Sequence, residues 1–96
     1  MYRASPDYES REARLIRARA LEGVGRTGEA ADAWRALIGY TTGPEAQVRY
    51  GVALKKLGET QSAKEAFAEA VRTYGRHPGK LEPADRDWLA EAERNL

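Results

Sequence analysis

The feature that most constrains this chain is one spacing of small and apolar residues that occurs twice, 33 residues apart. The first copy is Ala18, Leu21, Gly25, Ala30, Trp34 and Leu37, and the second is Gly51, Leu54, Gly58, Ala63, Phe67 and Ala70. A fixed period of this length is typical of helical repeat arrays. Since such arrays present extended surfaces for binding, the repetition favours a binding protein over an enzyme.

The composition is compatible with a folded helical domain. Leu, Ile, Val and Phe contribute only 15 of the 96 residues, but the net charge is +1, whereas disordered chains combine low hydrophobicity with a high net charge. Seventeen alanines supply further apolar surface. Alanine is the best helix former and takes little room. We therefore expect thin helices that pack closely around a few aromatic side chains.

Several classes of site and location are disfavoured by residue content. The chain has no cysteine, which excludes disulfides, zinc–thiolate sites and cysteine nucleophiles. No apolar run approaches the ~20 residues of a membrane span, and the first residues do not form a signal peptide. Twelve arginines and four lysines are offset by 15 acidic residues, which disfavours nucleic-acid binding. We expect a cytoplasmic domain without membrane contact.

Five helices and no strands are predicted, because no segment shows sustained period-2 alternation. Thr27 and Thr60 are predicted N-caps of the second and fourth helices, and Pro44 and Pro83 open the third and fifth. Gly58 is a predicted C-cap. The predicted helices span about residues 6–24, 28–39, 44–57, 60–74 and 83–96.

Each predicted helix has an apolar stripe. The stripe of the first helix contains Ala13, Ile16, Ala20 and Val24, and that of the fifth contains Trp88, Leu89, Ala92 and Leu96. Small residues are expected where helices cross, at Ala20, Gly51, Ala63 and Ala70. Trp34 and Phe67 are expected to fill the space between the helix layers.

The second copy resembles the tetratricopeptide repeat, whose pattern W-x2-L-G-x2-Y…A-x3-F…P covers about 34 residues. Gly51 matches the small residue of the first helix. Ala63 and Ala70 match the two small positions of the second helix, and Phe67 matches the aromatic residue between them. Leu54 stands where tyrosine is usual.

The first copy is a weaker match to the same family. Its fitting positions are Ala18, Gly25, Ala30 and Trp34. Arg14 and Arg17 stand where the family has an apolar pair. They either make the outer end of a complete array soluble or mark a site that a preceding repeat covers in a longer protein. We expect a C-terminal fragment of a longer bacterial tetratricopeptide-repeat protein.

The resemblance implies an all-α, right-handed superhelix formed by a single domain over residues 1–96. Two helix–turn–helix repeats, at about 6–40 and 44–76, are closed by a capping helix at 83–96. It also implies that the chain is a scaffold that holds a protein or peptide in a groove lined by the first helix of each repeat. No cofactor and no metal are expected.

Carried onto this chain, the groove has an apolar strip flanked by cations, which suits a peptide with an apolar anchor and acidic groups. Its principal residues are Leu15, Ile16, Arg19, Val48, Arg49, Val52 and Lys56, with Glu12, Glu22, Glu45 and Lys55 beside them. In the alternative, Leu15, Ile16, Val48 and Val52 are core residues covered by the fifth helix. The alternative function is a structural spacer, or the weakly self-associating end of a larger repeat protein that is membrane-anchored elsewhere.

Other candidate chemistry has a simpler explanation. His77 lies in a Gly/Pro loop without a suitably spaced Ser or acid. Asp85 and Asp87 point to different sides of a helix, near its positive N-terminal dipole. The G-x-G-x-x-G at 23–28 follows a helix rather than the strand that dinucleotide binding requires. We therefore predict that the chain is not an enzyme.

Overall fold

The computed structural model describes residues 11–39, 43–75 and 82–96, and in these ranges the chain is all helical with no β-strand. The helices are α1 (Arg11–Gly23), α2 (Thr27–Leu37), α3 (Glu45–Lys56), α4 (Thr60–Tyr74) and α5 (Pro83–Arg94). The all-α prediction with five helices is confirmed. The predicted start of the first helix and His77 lie outside the described residues.

The 33-residue repetition is present in the backbone as well as in the sequence. The turn from α1 to α2 and the turn from α3 to α4 contain Gly25 and Gly58, and each glycine has φ +84°. In both turns the next residue donates its backbone N–H to a leucine carbonyl at 3.0 Å, Arg26 to Leu21 and Glu59 to Leu54. This bond closes a helix end in the Schellman arrangement, which requires a left-handed residue that glycine adopts without strain. We call α1 with α2 the first unit and α3 with α4 the second.

The predicted caps at Thr27 and Thr60 are wrong. Both threonines are the first residue of their helix, and Arg26 and Glu59 occupy the preceding position without a side-chain cap hydrogen bond. The Schellman hydrogen bond at the end of the preceding helix fixes the path of the chain. The start of the next helix therefore does not depend on a threonine hydroxyl as a cap.

The core consists of two clusters, one around each predicted aromatic residue. Trp34 and Phe67 are fully buried, at 0% and 1% exposure, as predicted. The first cluster contains Ala18, Ala30, Trp34, Leu37 and Ala46. The second contains Val48, Leu54, Ala63, Ala66, Phe67, Ala70, Leu89 and Ala92. Tyr50 of α3 packs against both clusters and so joins the two units.

Gly51 lies where α3 and α4 approach each other closely. A methyl group on Gly51 would lie 2.8 Å from Cε1 of Phe67. Real Cβ atoms do not approach other heavy atoms that closely, so the Phe67 ring occupies the space that any larger residue at this position would need.

The predicted inner stripe of α1 faces outward. Ile16 and Val24 are 65% and 71% exposed, and Ala20 is also exposed. Ala18, which is fully buried, takes the crossing position predicted for Ala20. Helix α1 has two apolar sides. The side that holds the repeat positions Ala18 and Leu21 packs on α2.

Helix α5 packs on α3 and α4 through Leu89 and Ala92, which are buried. Trp88 is half-buried beside them. Leu96, which was predicted on the same apolar side, is 55% exposed and follows the helix end at Arg94.

Substitution of Gly51 by Ala tests the close approach of α3 and α4. The added methyl must displace the Phe67 ring, so Gly51→Ala should lower the free energy of unfolding by about 1–3 kcal/mol, although alanine is the better helix former. Urea denaturation measures this change. Gly28→Ala is the matched control, because a Cβ there meets nothing within 4 Å. It should leave stability unchanged or raise it by up to about 1 kcal/mol, and equal effects of the two substitutions would contradict the packing.

Candidate functional site

Side chains of α1, α3 and α5 meet on one surface, although these helices are not consecutive in the chain. We call this surface the α1–α3–α5 face. It comprises Arg19 and Glu22 of α1, Glu45, Arg49, Val52, Lys55 and Lys56 of α3, and Trp88 and Asn95, on and just after α5.

Arg49 is the central residue of the face. Its guanidinium donates from Nε to Glu45 at 2.8 Å and from Nη1 to Glu22 at 2.7 Å. The same group lies 5.1 Å from the ring centroid of Trp34 and 4.6 Å from that of Trp88. Arginine suits this position because its planar group stacks on aromatic rings while its N–H groups bond carboxylates in the plane. One side chain thus connects four of the five helices.

Two further contacts hold the three helices together. Arg19 donates to the same Glu45 oxygen that receives Nε of Arg49, at 3.2 Å. Lys55 donates to Oδ1 of Asn95 at 2.6 Å, which links the last turn of α3 to the end of α5. Arg19 is half exposed, so its contact is the weaker of the two ion pairs at Glu45.

The start of α5 places carboxylates close together. Gly43 has φ +99°, and a methyl there would lie 3.0 Å from Oδ1 of Asp85. Burial of the carboxyl group, together with the nearby Glu82 and Glu45, raises the pKa of Asp85. Loss of water and the like charges act on this carboxylate in the opposite direction to the helix dipole, which was expected to favour it.

At the end of α5 the surroundings favour a charged carboxylate, whereas those at its start disfavour one. Glu91 accepts hydrogen bonds from Arg94 and Asn95. These bonds favour the ionised carboxylate and lower the pKa of Glu91.

The structure separates the predicted groove residues into three groups. Val48 is fully buried in the second cluster, so it belongs to the core and cannot line a groove. Leu15 packs against the first cluster and Val52 against the second, and both are half-buried. Ile16 is exposed on the outward side of α1.

The predicted cations also differ in their environment. Arg49 is bound within the fold by Glu22 and Glu45, so it does not offer a free fork to a ligand carboxylate. Arg19 keeps half of its side chain exposed, and Lys56 is exposed on the adjacent helix. These two residues are the accessible cations among the groove residues predicted as principal. The side chain of Glu12 lies outside the described part of the structure.

Reasoning from sequence missed the stacking of Arg49 between Trp34 and Trp88. The Glu45–Arg49 pair was detectable, because residues four apart on a helix are neighbours. The aromatic partners were not detectable, since they lie 15 and 39 residues away in the chain.

A second surface feature is a groove of about 480 Å³ between α1 and α2. It is lined by Arg14, Arg17 and Leu21 of α1 and by Glu29, Asp32, Ala33 and Ala36 of α2. A smaller groove of about 390 Å³ continues from it past Arg17 and Leu21 to Ala20, Val24 and Arg26.

Comparison with known proteins gives no assignment: no protein-family model, curated protein or solved structure matches the chain. Within residues 11–39, 43–75 and 82–96, no helix has both the length and the apolar character needed to cross a membrane. In the same ranges, no group of three or more His, Cys, Asp or Glu side chains is arranged to hold a metal ion.

Replacement of Arg49 tests whether it connects the helices. Arg49→Ala leaves Glu22 half-buried without its cation, leaves Glu45 with only the half-exposed Arg19, and removes both ring contacts, so the free energy of unfolding should fall by about 2 kcal/mol. Urea denaturation followed by tryptophan emission measures it, since both Trp rings contact the guanidinium. Arg72→Ala is the control, because Arg72 forms an exposed pair with Glu69 and should cost less than about 0.5 kcal/mol.

The raised pKa of Asp85 predicts a pH-dependent effect. The folded state binds a proton at Asp85 more tightly than the unfolded state, so ionisation of this group as pH rises destabilises the fold. Asp85→Asn should therefore raise stability at neutral pH, and the gain should vanish below the ordinary pKa of an aspartate. Denaturation at several pH values measures this, with Asp87→Asn as the control for loss of a carboxylate on α5. A gain that persists in acid would contradict the assignment.

Proposed function

We propose that this chain is a protein-interaction module of the tetratricopeptide type, which binds an acidic protein segment carrying an apolar side chain on the α1–α3–α5 face. The observation that supports it is the charge of that face. Arg49 is paired with Glu22 and Glu45, and Asp85 and Glu91 lie at the margins of the face beside Glu45 and Lys55, but Arg19 and Lys56 keep exposed positive charge on it. Exposed positive charge attracts acidic segments and speeds their association.

The apolar part of the proposed site comes from side chains that the fold leaves incompletely covered. Val52 of α3 and Trp88 of α5 are half-buried on this face. Trp88 already stacks on Arg49, so its position is fixed before a ligand arrives. A fixed aromatic side chain lowers the entropy cost of binding, which suits it to receive an apolar anchor.

The internal ion pairs determine which cations act on the ligand. Arg49 holds the face together, and its removal would disturb the fold as well as binding. Lys56 has no hydrogen bond or ion pair within the described residues and is exposed, so we assign it the direct contact with a ligand carboxylate. Arg19 assists from α1 with the exposed half of its side chain.

A pair of synthetic peptides tests the proposed function. One has a phenylalanine flanked by glutamates, and the other has the same length with lysines in their place. Only the acidic peptide should bind, with shifts in the NMR signals of Val52, Lys56 and the indole N–H of Trp88. Binding should weaken with added salt, because the attraction is between exposed charges.

Lys56→Glu should weaken binding of the acidic peptide roughly three- to tenfold, as expected for reversal of one exposed charge. Lys64→Glu is the matched control, since Lys64 is an exposed lysine on α4, away from this face. It should leave the affinity unchanged. Equal binding of the two peptides, or equal effects of the two variants, would contradict the proposal.

A further inference from the structure

Glu45, the first residue of α3, receives two arginines on a single oxygen. Its Oε2 accepts a hydrogen bond from Nε of Arg49 at 2.8 Å and another from Nη2 of Arg19 at 3.2 Å. The bond from Arg49 lies within α3, between residues four apart, whereas Arg19 reaches across from α1. One carboxylate oxygen thus serves two cations, and the longer of the two bonds goes to Arg19.

The two arginines differ in what else holds them. Arg49 also donates to Glu22 at 2.7 Å and stacks on two tryptophan rings, and its side chain is 24% exposed. The side chain of Arg19 is 50% exposed, and its bond to Glu45 is the one hydrogen bond or ion pair that it makes within the described residues. Because an exposed pair contributes little to stability, Arg19 can leave Glu45 at low cost while Arg49 stays in place.

A carboxylate from solvent offers Arg19 a better bond than Glu45 does. Arg19 uses Nη2 alone on an oxygen that is already shared. A guanidinium carries five N–H donors in a planar fork, and a free carboxylate can accept two of them side by side. This paired arrangement is the stronger one, so exchange of Glu45 for such a carboxylate is favourable for Arg19.

Binding of a ligand carboxylate at Arg19 requires that Arg19 turn away from Glu45. The surroundings of Glu45 are already rich in negative charge, since Glu45 and Glu82 are among the groups that raise the pKa of Asp85. A ligand carboxylate placed beside Glu45 would meet these like charges at short range. The exposed half of the Arg19 side chain gives it the freedom to move outward instead.

We infer that Glu45 competes with the ligand for Arg19 and thereby determines how tightly the α1–α3–α5 face holds an acidic segment. In the free chain Glu45 occupies Arg19, and an acidic segment binds by taking Arg19 over. The inference rests on the proposed function, because it concerns the same face and the same class of ligand. Glu45 is then a specificity-determining residue that does not touch the ligand, since a ligand must offer a full negative charge to displace it.

Glu45→Gln tests the competition with the peptide in which glutamates flank a phenylalanine. The neutral amide no longer holds Arg19 by its charge, so this variant should bind the peptide about two- to fivefold more tightly. Glu22→Gln is the matched control, because Glu22 bonds Arg49 whereas the bond from Arg19 goes to Glu45. The control removes the same charge from a side chain of similar exposure, 22% against 26%. It should change the affinity by less than about twofold, since exposed charges are screened.

Two further measurements show whether the gain depends on Arg19. In an Arg19→Gln background, Glu45→Gln should no longer tighten binding. In the unchanged chain, addition of the peptide should shift the NMR signal of the Arg19 Nε–H and leave that of the Arg49 Nε–H in place. This second measurement needs no substitution, so it tests the competition even if a variant fails to fold.

The outcomes separate this inference from the proposed function. If the unchanged chain binds the peptide but Glu45→Gln brings no gain, or Glu22→Gln brings an equal one, the competition is overturned and the proposed function stands. A gain that persists without Arg19 overturns the competition equally. Binding by Glu45→Gln alone supports the competition and contradicts the proposed function of the unchanged chain. Binding by neither overturns both.

Discussion

The helices of this chain pack together only because short side chains stand where they cross. Ala18, Ala30, Gly51, Ala63 and Ala70 are all buried, and none extends beyond a methyl group. The room that they leave is taken by one large ring in each unit, Trp34 in the first and Phe67 in the second. Small and large residues are therefore interdependent, and the sparse supply of Leu, Ile and Val is sufficient for a core of this kind.

The close helix packing also explains the chemistry of the α1–α3–α5 face. Arg49 lies on α3, which packs on α2 and α5, and from there it reaches carboxylates on α1 and α3 and the rings of Trp34 and Trp88. Arg49, the cation of this face with two ion pairs and two ring contacts, therefore holds the helices together. In the proposed function, recognition of another molecule depends on the more exposed Arg19 and Lys56, and the apolar stripe of α1 is a separate surface.

The sequence was sufficient to predict the five helices, the glycine turn at Gly58 and the burial of Trp34 and Phe67, because each depends on residues that are close together in the chain. It was not sufficient to orient α1. Alanines lie on two sides of that helix, and only contact with α2 selects the side that holds Ala18 over the side that holds Ala20. The role of Arg49 was also missed in part, since Trp88 comes from a helix that begins 34 residues later.

The two turns at Gly25 and Gly58 have one geometry and lie one repeat period apart, which has a consequence for how such a chain can lengthen. A whole hairpin of 33 residues inserted at a turn brings its own small residues and ring in the same alignment. A residue inserted inside a helix instead rotates the rest of that helix by about 100° and moves its alanines away from the crossings. Growth of the chain by duplication of whole hairpins is thus physically favoured over gradual insertion or deletion.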